Sequence, residues 1–563
     1  MRPCLLLLSM AGLVAAQNAP PNAVSIHPFT GQRGASFAAV VRGSGLRAAT
    51  SVFVEDAPLT ITIQATEAEP PEETAVKSKV PFDRVHLRIQ VAADANPGRY
   101  LFRLVTPQGV SNALALHVAE HPIVAEPAGL HESPDSAVPV GPLPVVFTGR
   151  LLRRGESDYY ALQVKAGMLL TFEAISGLPS TGAPGGNARG FDPAISLFEP
   201  SGSWFDPHRV NLIASNDEPL WGIGRPTDAY LAHKFERAGR YLLRVEAFSG
   251  QGGPDYSYQL KILPGEQPQE APPGRDSWEE RNFLRRLSAD RMNELAARGG
   301  KPQNQKSIET YRAAAAAALG SFKLPGALEG TLAEPGEAHR AQFRLDGPGD
   351  IAIEVETPGV APPLFNPIVR LLNAAGEEVA TNILAGRGAC SGALTKSLHA
   401  KTIVPLREAG DYTVEIRNTT SDLGSFRYRL LVRPQIPHIG QVSFDVDRLN
   451  VAPGEAKTVR VSFDREEDYR GAIAVAAESL PPGVEAVAGA DFEPDKDPPL
   501  SRGKRERYTP RAERAVVVFT ASADAIPMPQ PQLVRLRARP VVDGKPGPVV
   551  ATKSIPIMVV AKP

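Results

Sequence analysis

Apolar and polar residues alternate with period two through most of this 563-residue chain, and that period predicts strands with one buried face. Residues 22–119 carry it in SFAAVVRGSGL and in VHLRIQVAADANPGRYLFRLVTPQGVSNALALHV, broken by Gly, Pro and Asn at turn positions. Residues 144–264, 326–434 and 440–563 show the same texture, the last in TVRVSFD, RAVVVFTASADA and SIPIMVVA. Two segments interrupt it. Residues 120–143 are rich in Pro, Ala and Val and read as an extended linker. Residues 273–320 switch to helical spacing: Asp276-Ser277-Trp278-Glu279-Glu280 offers a capping box, Leu284, Leu287 and Leu295 follow, and Ser307 to Leu319 is Ala-rich. A helical hairpin insert is predicted there, docked through Trp278, Leu284, Leu287 and Leu295 on a neighbouring sandwich.

Two of the strand-rich segments repeat one another. GRLLRRGESDYYALQV (Gly149 to Val164) answers GTLAEPGEAHRAQFRL (Gly330 to Leu345) without a gap. FDPAISLF answers FNPIVRLL, AGRYLLRVEA answers AGDYTVEIRN, and YSYQLKI answers FRYRLLV, in the same order. A repeat of this kind fixes architecture better than local propensity does. The expected fold is all-β, a tandem of antiparallel β-sandwich domains with one α-helical insert between the two central ones.

The motif order GESDYYALQVKAG, FDPAISLFEPSG, SNDEP, AGRYLLRVEAFSG, YSYQLKI resembles the bacterial pre-peptidase C-terminal domain, with residues 326–434 as a second copy. Residues 22–119 resemble the TIG (immunoglobulin-like, plexin and transcription-factor) domain. Residues 440–563 resemble immunoglobulin-like domains at the C-termini of exported bacterial proteins. The resemblance implies β-sandwiches found beside secreted peptidases and in exported proteins without catalytic domains.

Composition adds the compartment and removes some partners. Arg2, the apolar run Leu5 to Val14 and small residues to Ala16 form a secretory signal, too short to span a bilayer. Cleavage near Ala16 leaves Cys390 as the one remaining cysteine, so no internal disulfide is expected. No later run reaches the ~20 apolar residues of a membrane span. With 61 Lys+Arg against 62 Asp+Glu, no net field draws nucleic acid. The 54 prolines suit turns, edges and linkers.

Candidate chemistry is sparse. Gly388-Ala389-Cys390-Ser391-Gly392 has the glycine spacing of a nucleophile elbow but no helical pattern after it. The ten histidines are scattered and have no pair of cysteine partners once the signal is removed, so zinc chemistry has no constellation to stand on. Calcium is the one cofactor the residues suggest, since Asp192, Asn216, Asp217, Glu218 and Asp228 are hard oxygen donors on consecutive loops of the first copy. Asp and Asn also cap turns by bonding their own backbone, and the second copy replaces most of these residues. Trp204, Trp221 and Tyr230 are the candidate aromatic contacts for a glycan or partner, against a packing role. The chain therefore reads as an exported, non-catalytic scaffold or binding protein with a protein or glycan partner in the cell envelope. An accessory subunit of a separate secreted peptidase and a glycan-binding protein stand as alternatives.

Overall fold

A computed structural model describes residues 20–55, 57–70, 81–177, 192–200, 210–217, 229–248, 250–265, 316–332, 337–356, 368–387, 394–398, 401–417, 426–467, 469–489, 514–549 and 551–562. These residues are overwhelmingly β, and their sheets pair into four sandwiches, each closed on its own apolar core.

The first sandwich has nine strands, from Asn22–His27 to Leu114–Ala119. Counted in chain order, they form sheets 1-3-6-5 and 2-9-7-4, with the short eighth strand on the seventh. The fourth sandwich, His438–Phe444 to Ala551–Val559, repeats both orders strand for strand. This is the immunoglobulin constant-type arrangement, with the first strand split between the two sheets. Inward residues alternate as the sequence pattern requires: Val85, Leu87 and Ile89 are buried in one strand, and Val534, Leu536 and Ala538 in another.

The second and third sandwiches share a different order. The nine strands from Val138–Pro139 to Ser257–Pro264 form sheets 1-3-8-5-6 and 2-9-4-7. The third, Ala316–Phe322 to Phe426–Pro434, gives the same orders once its extra hairpin, Ile383–Arg387 with Leu394–Leu398, is set aside. Gly149 and Gly330 hold equivalent places for one steric reason. A Cβ at Gly149 would stand 2.5 Å from the ring of Tyr258, and one at Gly330 would stand 2.5 Å from the Tyr428 hydroxyl.

A second device recurs in three sandwiches. Tyr100, Tyr241 and Tyr412 donate to the carbonyls of Asn96 (2.8 Å), Arg237 (3.1 Å) and Glu408 (2.8 Å), each four residues back. The intervening Gly98, Gly239 and Gly410 have φ of 148°, 155° and 155°, a region essentially closed to side chains. This is a tyrosine corner, which ties a loop to the strand it enters.

Two expectations are corrected. Residues 120–143 are no free linker. Ile123–Ala125 pairs in parallel with Val146–Thr148 on one sheet of the second sandwich, and Val138–Pro139 with Tyr160–Ala161 on the other. The segment is a strap across the sandwich edge. The predicted helix over Ser307 to Leu319 fails at its end, because Ala316–Phe322 is a strand paired in parallel with Ala338–Phe343. Alanine favours helix only weakly, and a neighbouring strand that satisfies the backbone overrides it. The rest of the expected insert, 273–315, lies outside the described residues, as do the expected signal segment and Cys390. No helix among the described residues is long and apolar enough to cross a membrane.

Candidate functional site

The register places three of the predicted calcium ligands together. Ile195 pairs with Asn216, so Asp192, just before that strand, and Asn216-Asp217, at the end of its neighbour, share one end of the second sandwich. All three are half-buried. The Asn216 amide donates to the Tyr230 carbonyl at 2.6 Å. Glu218 and Asp228 lie outside the described residues, as do Trp204 and Trp221. Carboxylate and amide oxygens of this kind suit Ca²⁺ chemically.

Tyr230 does not present a face to solvent. It is 5% exposed, in a strand paired with Glu173. Among the described residues the aromatic that does is Phe248, 65% exposed, whose N–H bonds the Asp192 carbonyl at 2.7 Å. Nothing in the alternating pattern marks it, because it lies one residue past the Gly239–Ala247 strand. The same end of the sandwich meets the first one: Phe29 lies over Gly177, and Ile175 joins the first sandwich's core.

Ionisable side chains concentrate at the junctions between sandwiches. Between the first and second, Arg42 grips Glu69 at 2.6 and 2.7 Å and reaches across to Asp255, which also accepts from Ser25. Thr30 donates to Gln259 at 3.1 Å in a buried contact. His27 meets Ser257 at 3.1 Å. Burial, with Arg150 nearby, depresses the His27 pKa to about 3, and burial near Lys261 does the same to His117. Both imidazoles are neutral in this interface.

Between the first and fourth, Asp447 accepts from Arg103 at 2.9 Å and from the Ala113 N–H at 3.0 Å. Asn450 imitates a strand: its oxygen accepts from Val110 N–H at 2.9 Å and its amide donates to the Val110 carbonyl at 3.0 Å. Val105, Val110 and Met558 close a small apolar core beside them.

Between the third and fourth, Glu467 is fully buried and takes Arg433 (2.7 Å), Lys401 (2.5 Å) and the Ile436 N–H (2.7 Å). Burial raises the pKa of this carboxyl, but the bonds from Arg433, Lys401 and Ile436 outweigh that and hold it down at about 2. Its φ of 57° puts a non-glycine residue in the left-handed region, a cost of order 1 kcal/mol that the bonds offset. His438, Glu466 and Glu467 are the described residues whose ligand atoms lie close enough together to hold a metal. Two cations already neutralise Glu467 there, so the chemistry is that of an ion-pair junction.

The second sandwich also buries a carboxyl pair. Asp158, 1% exposed, is hydrogen-bonded to Glu126 of the strap. It accepts from Tyr258 at 2.6 Å, and Tyr258 meets Tyr160 at 2.7 Å. In the third sandwich His339 stands at the equivalent position, on Tyr428 at 2.6 Å.

No family model matches this chain, and no curated protein matches it. Solved structures give low-level likenesses. The pre-peptidase C-terminal domain of a collagenase from Bacillus anthracis is 16% identical, over 21% of this chain and 98% of that one, with a TM-score of 0.15. SGBP-B of a Bacteroides ovatus mixed-linkage glucan utilization locus, in complex with a mixed-linkage heptasaccharide, is 10% identical over 72% and 70%, TM-score 0.13. Domains 1–6 of the surface layer protein SbsC are 9% identical over 99% and 56%, TM-score 0.16. Likenesses at that level decide nothing about this chain. Its own sheets establish the all-β sandwich fold.

Proposed function

We propose that this protein is an exported, non-catalytic scaffold that presents sandwich-end loops to a protein or glycan partner in the cell envelope. The observation that carries the reading is the placement of charge at the junctions between sandwiches. Arg42, Arg103, Asp447, Lys401, Arg433 and Glu467 join one sandwich to the next, which fixes the spacing of binding loops rather than arming a cleft. The second and third sandwiches are read as two pre-peptidase C-terminal modules and the first as a TIG-like module; their shared or immunoglobulin-type strand orders support this.

Within the scaffold, the end of the second sandwich is the binding end. Exposed Phe248 beside Asp192 supports it, with Trp204 and Trp221 as further aromatic contacts and Asp192, Asn216, Asp217, Glu218 and Asp228 as calcium donors. A glycan is the second reading, favoured by that exposed ring, since flat apolar faces stack on sugars. The full chain, immobilised and exposed to an envelope fraction and a glycan array, should retain a partner without turning it over. Phe248→Ala should weaken retention at least fivefold while leaving the fold intact. Retention unchanged by Phe248→Ala, Trp204→Ala and Trp221→Ala would sink the assignment of this end.

A further inference from the structure

The strap over residues 120–143 carries one half of a carboxyl pair whose other half belongs to the sandwich beneath it. Glu126 sits just after the Ile123–Ala125 strand, and its N–H bonds the Thr148 carbonyl at 2.9 Å. Its carboxylate accepts the Arg150 N–H at 3.0 Å, contacts His131 Nε2 at 3.1 Å and is hydrogen-bonded to Asp158. Asp158 belongs to the strand Ser157–Val164, and the strap crosses that strand again through Tyr159 N–H to the His131 carbonyl, 2.9 Å, and Val140 N–H to the Ala161 carbonyl, 2.9 Å.

Two carboxyl groups cannot share a hydrogen bond unless one carries a proton, and two adjacent buried charges repel. The groups facing the pair do not replace that proton. Tyr258 and Tyr160 are neutral donors below it, and Glu156 is a further negative charge. Arg150 is the nearby arginine, and Arg42 and Asp255 also act on it. His131 is the remaining titratable partner, on the Glu126 side.

We propose that the strap is a proton-operated latch: the proton shared by Glu126 and Asp158 holds residues 120–143 on the second sandwich, and its loss loosens them. Burial and the neighbouring Glu126 push Asp158 up to about 8 from an ordinary value of 3.8. The latched state therefore keeps a proton that the open state releases. The latch is tightest below about pH 4 and weakens as pH rises towards about 8, by up to roughly tenfold in its opening constant per pH unit. Above that both states are ionised and the dependence ends. Among the described residues the third sandwich, with His339 in place of Asp158, shows no such carboxyl pair.

Hydrogen exchange of the full chain from pH 5 to 9.5, corrected for intrinsic rates, tests this at the Glu126, Val140 and Tyr159 amides. The expected result is at least a tenfold loss of protection between pH 5 and 8, a plateau above, and no comparable change at the third sandwich's Ala338–Leu345. Asp158→Asn keeps the acceptor for Tyr258 and a donor for Glu126 without the titration, so its strap protection should not vary with pH. Glu126→Gln leaves Asp158 buried and titratable, so its slope should be reduced but not abolished. His131→Gln keeps both carboxyl groups and should retain the slope, which decides the matter if Asp158→Asn does not fold. Wild-type protection flat across the range overturns the proposal. So does a slope that survives in Asp158→Asn or is lost in His131→Gln, either of which would assign it to His131.

Discussion

Replacing Gly149 with alanine tests whether the repeat is conserved in shape for a packing reason. The new Cβ would meet Tyr258 Cζ and Oη at 2.5 Å and Cε1 at 2.8 Å, distances that real Cβ atoms do not tolerate, and the ring is fully buried. Inserting a methyl into a filled core costs about 1–3 kcal/mol. The ring can yield only by shifting its hydroxyl away from Asp158 and Tyr160, at roughly 1 kcal/mol for each bond. The sum is about 3–5 kcal/mol. Gly347→Ala is the control, because no atom lies within 4 Å of its Cβ position, and a change of under about 0.5 kcal/mol is expected. With several sandwiches in the chain, one global unfolding curve is not a two-state measurement. Exchange at the Ser257–Pro264 amides reads the second sandwich alone, and 3 kcal/mol there is roughly a hundredfold loss of protection. Gly330→Ala should do the same to Phe426–Pro434 and leave the second sandwich untouched. If Gly149→Ala and Gly347→Ala differ by less than about 0.5 kcal/mol, the steric account is wrong.

Three further outcomes are expected. Glu467→Gln removes the charge that Lys401 and Arg433 share. Breaking a buried pair costs about 3–5 kcal/mol, and Glu354 and Glu466 remain as alternative acceptors, so about 2 kcal/mol is expected, read as faster proteolysis around Pro434 to Pro437. The pKa of this carboxyl is depressed on folding, so the junction's stabilisation is complete well above about pH 4.5 and is lost progressively as pH falls from there through about 2; opening at least about tenfold more frequent at pH 3 than at pH 7 fits this, and an opening frequency unchanged between them does not. His27 and His117, depressed from 6.5 to about 3, contribute stability above pH 6.5 that is lost as pH falls through about 3. Exchange at Thr30 and His117 should therefore quicken on acidification, opposite in sign to the strap. For calcium, a melting temperature unmoved by chelator would remove Asp192, Asn216 and Asp217 from consideration, since a ligand of the native state must stabilise it.

Much of this architecture was legible in the chain. Period-two alternation is a local property of strands with one wet face, so Val85, Leu87 and Ile89 announced their burial, and the paired runs from Gly149 and Gly330 announced two objects of one topology. The strap was not legible. Its strands, Ile123–Ala125 and Val138–Pro139, are too short to show a period, and only the edges they cover make them strands. Ala316–Phe322 misled for the same reason: its alanines favour a helix locally, while Ala338–Phe343 supplies the backbone partners that make it a strand.

The proposed binding end divides in the same way. Asp192, Asn216 and Asp217 were chosen by residue type, and only the strand register shows that they share one end of the sandwich. Phe248 was invisible, because exposure depends on what fails to pack over a residue. By itself the sequence determined the near-zero net charge, a sum over the chain, and the strand content, the repeat and the scarcity of catalytic groupings, which near neighbours carry. The tertiary structure decided which charges meet. Arg103 finds Asp447 across 344 positions and Asn450 finds Val110 across 340, because partners that far apart are chosen by the packing of whole sandwiches. The carboxyl pair of Glu126 and Asp158 belongs to that second class: each residue is unremarkable in its own segment, and their chemistry exists only where the strap lies down.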